Sequence, residues 1–117
     1  MSLITVSGAT NGPNAVEGTV YYFGFEIERI TGILEQEMEK NGCLYSISRQ
    51  KFTSLLQEDI ALGQKYNRRN VRAKVAFENE EPYFVSRQGV VRQGRKFFTL
   101  GKRDFVRSLS PVKGKCM

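Results

Sequence analysis

The chain has 117 residues, of which 40% are hydrophobic, and it carries a net charge of +6. This length and apolar content fit one globular domain and argue against two. Histidine is absent, so the most common general base and the most common transition-metal ligand are missing, and Ser-His or Cys-His catalysis is excluded. We expect no cofactor and no bound metal.

The first residues have neither the basic start nor the apolar run of a secretory signal, and no window approaches the ~18 apolar residues of a membrane span. We therefore expect a cytoplasmic protein that does not enter a membrane. Cys43 and Cys116 lie far apart and form neither a CxxC metal pattern nor a disulfide framework. This spacing predicts two unpaired thiols in a reducing compartment.

The charge is divided unevenly along the chain. Residues 64–117 contain fourteen Lys or Arg against four Asp or Glu, a net of +10, whereas residues 1–63 contain four against eight, a net of −4. Cations that are confined to one half and interleaved with aromatic residues are typical of a surface that binds a polyanion.

Two strands are predicted at the start of the chain. Residues 2–7 are rich in β-branched side chains and precede a loop of turn-forming residues. Residues 19–28 place four apolar side chains, from Tyr21 to Ile27, on one face at a period of two, which indicates a strand. Gly24 would lie on the other face as a bulge or a point of close approach.

Residues 31–41 fit two structures. Ile33, Leu34 and Met38 have helical spacing, whereas the Thr-Gly and Asn-Gly pairs at the two ends would suit hairpin turns. A hairpin at the first pair would set glutamates directly opposite one another, which is destabilising. We favour the helix, with the hairpin as the alternative.

The clearest helix follows a short strand at residues 43–47. Ser48 is its predicted N-cap, its apolar stripe extends from Phe52 to Ile60, and Gly63 follows its end. We interpret this helix as an ordinary packing element.

The second half is predicted to contain three strands. At residues 71–77 apolar residues alternate with Arg72 and Lys74, which predicts one buried face and one cationic face. Two further strands are predicted at residues 83–87 and 95–100.

Between the last two strands, the tripeptide Arg-Gln-Gly occurs twice, which indicates a bent strand or a turn with a bulge. Asp104 is predicted to cap a short helix that contains Phe105 and Leu109. Residues 111–117 are predicted to be a flexible basic tail.

These elements predict one α+β domain over residues 1–110. Its core would be a mostly antiparallel sheet of about five strands with one or two helices. The element order also permits an OB-like barrel, and the sequence does not determine the order of the strands.

Two basic clusters are candidate nucleic-acid contacts. In the first cluster, which extends from Lys65 to Lys74, guanidinium groups would clamp phosphates and Tyr66 would stack on a base. In the second cluster, which extends from Arg87 to Arg107, Phe97 and Phe98 would point to opposite faces of a strand, so one could be core and the other exposed. The alternative is a solvated charged surface with both phenylalanines buried. The candidate residues are Lys65, Tyr66, Arg68, Arg69, Arg72, Lys74, Tyr83, Arg87, Arg92, Arg95, Lys96, Phe98, Lys102 and Arg103.

These patterns predict non-catalytic binding of single-stranded or structured RNA or DNA, dominated by contacts to the backbone. The alternative is a protein–protein adaptor or self-assembling subunit whose acidic and basic halves engage partners or other copies. A third hypothesis is a nuclease that works without histidine, although no spacing selects its acid or its base.

Overall fold

The computed structural model describes residues 16–27, 32–58 and 65–112. The strand predicted at residues 2–7 and most of the predicted tail lie outside these ranges. The described elements are β1 (Glu17–Tyr22), a 3-10 turn (Glu35–Glu37), α1 (Met38–Asn41), β2 (Cys43–Ser48), α2 (Arg49–Leu55), β3 (Gln57–Glu58), β4 (Val71–Ala76), β5 (Tyr83–Ser86), β6 (Val90–Gln93), β7 (Lys96–Thr99), α3 (Lys102–Arg107) and β8 (Ser110–Pro111).

The strands form one antiparallel sheet in the order β3-β7-β6-β5-β4-β1-β2-β8. The predicted α+β class is therefore confirmed. The described sheet has eight strands because β6 and two edge strands of two residues each add to the predicted set. Within the described residues no pairing joins the edges β3 and β8, so these strands do not close into an OB-like barrel.

The main core lies on one face of the sheet. Val20, Val75 and Val85 alternate inward from three strands and are fully buried, as β-branched residues on a pleated surface often are. Phe52 from α2 and Phe105 from α3 complete this cluster. The two helices therefore cover the same face.

The helix predicted from Ser48 is confirmed at its start and is shorter than expected. The Ser48 hydroxyl accepts a hydrogen bond from the Lys51 N–H at 3.2 Å, as an N-cap does. The helix ends at Leu55, since Leu56 is extended and the next two residues pair with β7. The pairing of residues 57–58 with β7 therefore ends the helix before the end of its predicted apolar stripe.

The strand predicted at residues 19–28 ends early, at Tyr22. Gly24 has a φ of +117°, and the chain turns at Phe25. The turn sends Phe25 into the main core and leaves Ile27 46% exposed. The four apolar side chains therefore do not share one face.

The helix prediction for residues 31–41 is confirmed in a reduced form, as the 3-10 turn and the single turn of α1. The Glu37 carboxylate accepts a hydrogen bond from the Leu34 N–H at 2.8 Å, which fixes the start of the segment. Ile33 and Met38 are fully buried against Val71 on the face of the sheet opposite the main core. This segment, the acidic cover (residues 32–42), forms a second layer.

The prediction that Arg72 lies on an exposed cationic face of β4 is wrong. The register shifts between Val71 and Ala73, and this irregularity turns Val71 toward the acidic cover and Ala73 toward the main core. Such a bulge breaks the period of two. The Arg72 side chain is consequently buried, with 1% exposure.

One further expectation is corrected near β2. Cys43 is disulfide-bonded and not an unpaired thiol; the other cysteine of the chain, Cys116, lies outside the described residues. At the start of the predicted tail, Pro111 pairs with Tyr45 and the Val112 N–H donates to the Leu44 carbonyl at 3.2 Å. Main-chain pairing with β2 thus orders the chain through residue 112.

Candidate nucleic-acid interface

The face of the sheet beneath the acidic cover carries a row of alternating aromatic and cationic side chains. The strand register pairs Tyr21 with Lys74, Lys74 with Phe84, Phe84 with Arg92, and Arg92 with Phe97. The Lys74 ammonium lies 5.8 Å and the Arg92 guanidinium 5.4 Å from the centre of the Phe84 ring, within the range of cation–π attraction. We call these five residues the central row.

Two glutamates of the acidic cover neutralise the cations of the central row. Glu39 lies 2.6 Å from the Lys74 ammonium. Glu35 accepts hydrogen bonds from Arg92 Nε at 2.9 Å and from Arg92 Nη2 at 2.7 Å, the bidentate geometry of a strong ion pair. The two cations of the central row therefore already have anionic partners.

Tyr66 completes the contact between the acidic cover and the central row. Its hydroxyl donates a hydrogen bond to Glu35 at 2.6 Å. Burial raises the pKa of Glu35, but hydrogen bonds from Arg92 and Tyr66 outweigh it and leave the pKa below its ordinary value. Burial and the bond to Glu35 raise the pKa of Tyr66, so the phenol stays protonated and can donate. The bond to Glu35 also raises the pKa of Arg92.

Five exposed cations border the end of the central row at Phe97. The Tyr66 ring lies 6.2 Å from the Phe97 ring, so the loop before β4 meets the start of β7. Both rings are half-buried. We call the exposed side chains around them the hairpin patch, which consists of Lys65, Arg68, Arg69, Arg95 and Lys96.

The turn between β6 and β7 presents one part of the hairpin patch. Gln93 pairs with Lys96, which leaves a two-residue loop whose first residue, Gly94, has a φ of +59°. Glycine accepts this left-handed conformation without steric cost. Arg95 and Lys96 consequently lie at the tip of the hairpin, where they line a cavity of about 330 Å³ together with Phe97 and Glu58 of β3.

The loop before β4 presents the other part of the hairpin patch, Lys65, Arg68 and Arg69. The Asn67 side-chain Oδ1 accepts a hydrogen bond from the Arg69 N–H at 2.9 Å, and the Asn67 main-chain carbonyl accepts one from the Asn70 N–H at 3.0 Å. These bonds form a tight turn at Arg68 and Arg69. The acidic cover packs closely behind the turn, since a Cβ added to Gly32 would collide with the Arg69 carbonyl oxygen.

Two of the sequence-predicted site residues, Arg72 and Tyr83, are buried and do not contribute to this surface. Arg72 donates from Nη2 to the Ile27 carbonyl at 2.9 Å and contacts Asn70. Tyr83 is 7% exposed in the main core, and the half-buried Phe98 packs against it with the ring centres 6.1 Å apart. Phe97 is half-buried as well, but its ring adjoins Tyr66 on the opposite face of the sheet, so Phe97 is the member of the pair that lies beside the exposed cations. A period of two cannot distinguish the two rings.

The remaining predicted cations lie elsewhere. The half-buried Arg87 donates from Nε to the Phe25 carbonyl at 3.3 Å. Lys102 and Arg103 are exposed on α3, beyond the opposite end of β7 from the hairpin. The two sequence clusters are therefore regrouped: Lys65, Arg68 and Arg69 of the first cluster lie with Arg95 and Lys96 of the second, and the α3 cations form a separate group.

No group of side chains in the described ranges could hold a metal ion. Among the same residues, no helix has the length and apolar character needed to cross a bilayer. Comparisons with protein-family models, with curated proteins and with solved structures found no match.

Proposed function

We propose that the protein binds single-stranded nucleic acid, without catalysis, through the hairpin patch. The observation that carries this proposal is that the contact between the Tyr66 and Phe97 rings brings together two segments that carry five exposed cations. Proteins that bind single strands without sequence preference combine a cationic track for phosphates with aromatic rings on which bases stack. The hairpin patch supplies the cations, and the two rings that it surrounds supply the stacking surface.

The other candidate cations support this assignment by their pairing. Lys74 and Arg92 are held by glutamates of the acidic cover, and Arg72 is buried. Contacts to phosphates therefore fall to side chains that need not break an existing ion pair. Such contacts position a strand without reading its sequence, so we propose binding that is dominated by the backbone and weakened by salt.

Fluorescence anisotropy with single-stranded DNA, single-stranded RNA and duplex DNA tests the proposal. Each oligonucleotide has about 12 nucleotides, a length within the site sizes of small single-strand binders. The variants R68A/R69A and R95A/K96A should each weaken binding to single strands and flatten its salt dependence. R103A/R107A is the matched control, because it removes the same charge from α3. An equal loss of affinity for single strands in all three variants would show that only net charge matters, and would contradict the assignment of binding to the hairpin patch.

The adaptor or self-assembly alternative has less support. In that hypothesis acidic side chains of one copy engage the basic half of another, but Glu35 and Glu39 already pair with Arg92 and Lys74 of their own chain. Light scattering on the protein without nucleic acid separates the two ideas. A defined oligomer that dissociates in salt would favour the alternative.

A further inference from the structure

A second groove lies between the turn after β1 and the outer face of α3. It has a volume of about 540 Å³, which is within the range of ligand-binding clefts. It is distinct from the hairpin patch, since α3 follows the far end of β7. We call it the α3 groove, and its lining residues are Tyr22, Phe25, Glu26, Lys102, Arg103, Val106 and Arg107.

The floor of the α3 groove is aromatic and firmly packed. The rings of Tyr22 and Phe25 lie 5.4 Å apart, and both contact the buried Phe105 ring edge-on, at 6.2 and 6.1 Å. The Tyr22 hydroxyl accepts a hydrogen bond from the Phe25 N–H at 3.2 Å, which fixes the turn. This floor is therefore a preformed apolar surface for a side chain placed on it.

The wall of the α3 groove is cationic. Arg103 and Arg107 are exposed and lie four residues apart, on the same side of α3. The Lys102 ammonium lies 5.6 Å from the centre of the Phe25 ring. Among the lining residues that the structure describes, Glu26 is the single carboxylate against three cations, so this part of the groove carries a net positive charge.

The edge of the α3 groove is also aliphatic. Val106 lines the groove and is 39% exposed, which makes it one of the three exposed large hydrophobic residues in the described part of the chain. A nucleic-acid backbone would leave this side chain unburied, whereas an apolar side chain of a protein ligand would remove it from water.

We infer that the α3 groove docks an acidic segment of a partner protein. An aliphatic or aromatic side chain of that segment would pack on Tyr22 and Val106, above the buried Phe25, and flanking carboxylates would pair with Arg103 and Arg107. Apolar anchors surrounded by complementary charge are typical of peptide-binding surfaces. This inference does not depend on the proposed function, because it uses a different surface and a different ligand.

A peptide-display selection tests the inference directly. A random library of peptides of about 12 residues, long enough to span a groove of this size, is selected on the full chain. Peptides that also bind the R103E/R107E variant are removed. The inference predicts enriched sequences in which Asp or Glu flank a single apolar residue. The enriched peptide, synthesised and labelled, should bind R103A/R107A at least about tenfold more weakly, as expected when two complementary charges are removed.

The control variant for this experiment is R95A/K96A, which alters the hairpin patch and should bind the peptide with unchanged affinity. Replacing the apolar residue of the peptide by serine should also weaken binding. Failure to enrich any sequence, enrichment of sequences without acidic residues, or equal binding by R103A/R107A would overturn the inference. Competition for the groove by single-stranded DNA would overturn it as well and would assign the groove to nucleic acid.

Discussion

At the scale of single residues, Glu35 determines how the acidic cover is held on the sheet. Its carboxylate is bonded to both Arg92 and Tyr66, and its side chain is 20% exposed. Hydrogen bonds to a charged group contribute more than neutral ones, and partial exposure reduces that contribution.

Replacement of Glu35 by glutamine should therefore lower the free energy of unfolding by about 1 kcal/mol near neutral pH. Because folding lowers the pKa of this carboxyl, its contribution is present above the ordinary pKa of glutamate and is lost as pH falls through the lowered value. Urea unfolding of wild type and E35Q at several pH values measures this difference. A difference that persists unchanged into strong acid would contradict the account of Glu35.

Arg72 and Arg95 are identical in chemistry and opposite in environment. Arg72 is 1% exposed and bonded to the Ile27 carbonyl, whereas Arg95 is exposed at the hairpin tip. We expect R72A to lower the free energy of unfolding by about 3 kcal/mol, as removal of a buried charged group does, and R95A to change it by less than about 0.5 kcal/mol.

Binding of single strands should reverse this order, with a larger decrease in affinity in R95A than in a folded R72A variant. Urea unfolding and anisotropy on the same two proteins measure both quantities. A stable R72A protein with strongly reduced binding would show that Arg72 contacts the nucleic acid.

At the scale of elements, the acidic cover positions the loop that carries Arg68 and Arg69. The Val71 N–H donates to the Ile33 carbonyl at 2.8 Å, and Gly32 packs directly against the Arg69 carbonyl. The backbone of the loop is thus held by a segment that lies far before it in the sequence.

The variant G32A should destabilise the protein by about 1–3 kcal/mol, because a methyl group there forces the loop and the acidic cover apart. It should also weaken binding of single strands by moving Arg68 and Arg69. G101A is the comparison variant: its nearest neighbour would lie at 3.4 Å, an ordinary contact, so it should cost only the preference of the α3 N-cap for glycine over alanine and should leave binding unchanged. Equal stability of G32A and wild type would mean that the packing is looser than described.

Local sequence signals predicted the elements that depend on nearby residues. The N-cap at Ser48 and the strands at β2, β4, β5 and β7 follow from capping chemistry and alternation. The register shift at Arg72, the strand β6 and the choice of Phe97 over Phe98 depend on contacts between distant segments. A period of two cannot show which face a second layer covers, so these features were missed or left open.

At the scale of the whole molecule, the uneven charge of the chain is partly resolved inside the fold. Glutamates of the first half pair with Lys74 and Arg92 of the second half, so part of the basic excess stabilises the protein. The excess that stays exposed is concentrated in the hairpin patch and on α3. The proposed function assigns nucleic acid to the hairpin patch alone.

Binding of a single strand by all five cations of the hairpin patch predicts a slope of about −3.5 in a log–log plot of affinity against salt concentration. A fourfold rise in salt should then weaken binding by roughly a hundredfold. The R95A/K96A variant should have a slope that is shallower by about 1.4, because two fewer cations neutralise phosphates.

The F97A variant should weaken binding by about 1–3 kcal/mol because a base can no longer stack on the ring, with little change in slope. Its matched control is F98A, which removes the neighbouring ring on the core face of the same strand. F98A should mainly destabilise the fold, by about 1–3 kcal/mol, because the half-buried ring packs on Tyr83. Anisotropy below the unfolding temperature of both variants checks the difference; a larger decrease in binding in F98A would reverse the assignment of the two rings.

Anisotropy titration of wild type and R95A/K96A with single-stranded oligonucleotides, over a range of salt concentrations, tests the central claim most directly. The account predicts micromolar or tighter binding by wild type at low salt, with a steep slope that becomes shallower in the variant while binding to duplex DNA stays weaker. Flat anisotropy at low salt, or identical slopes for wild type and R95A/K96A, would contradict it.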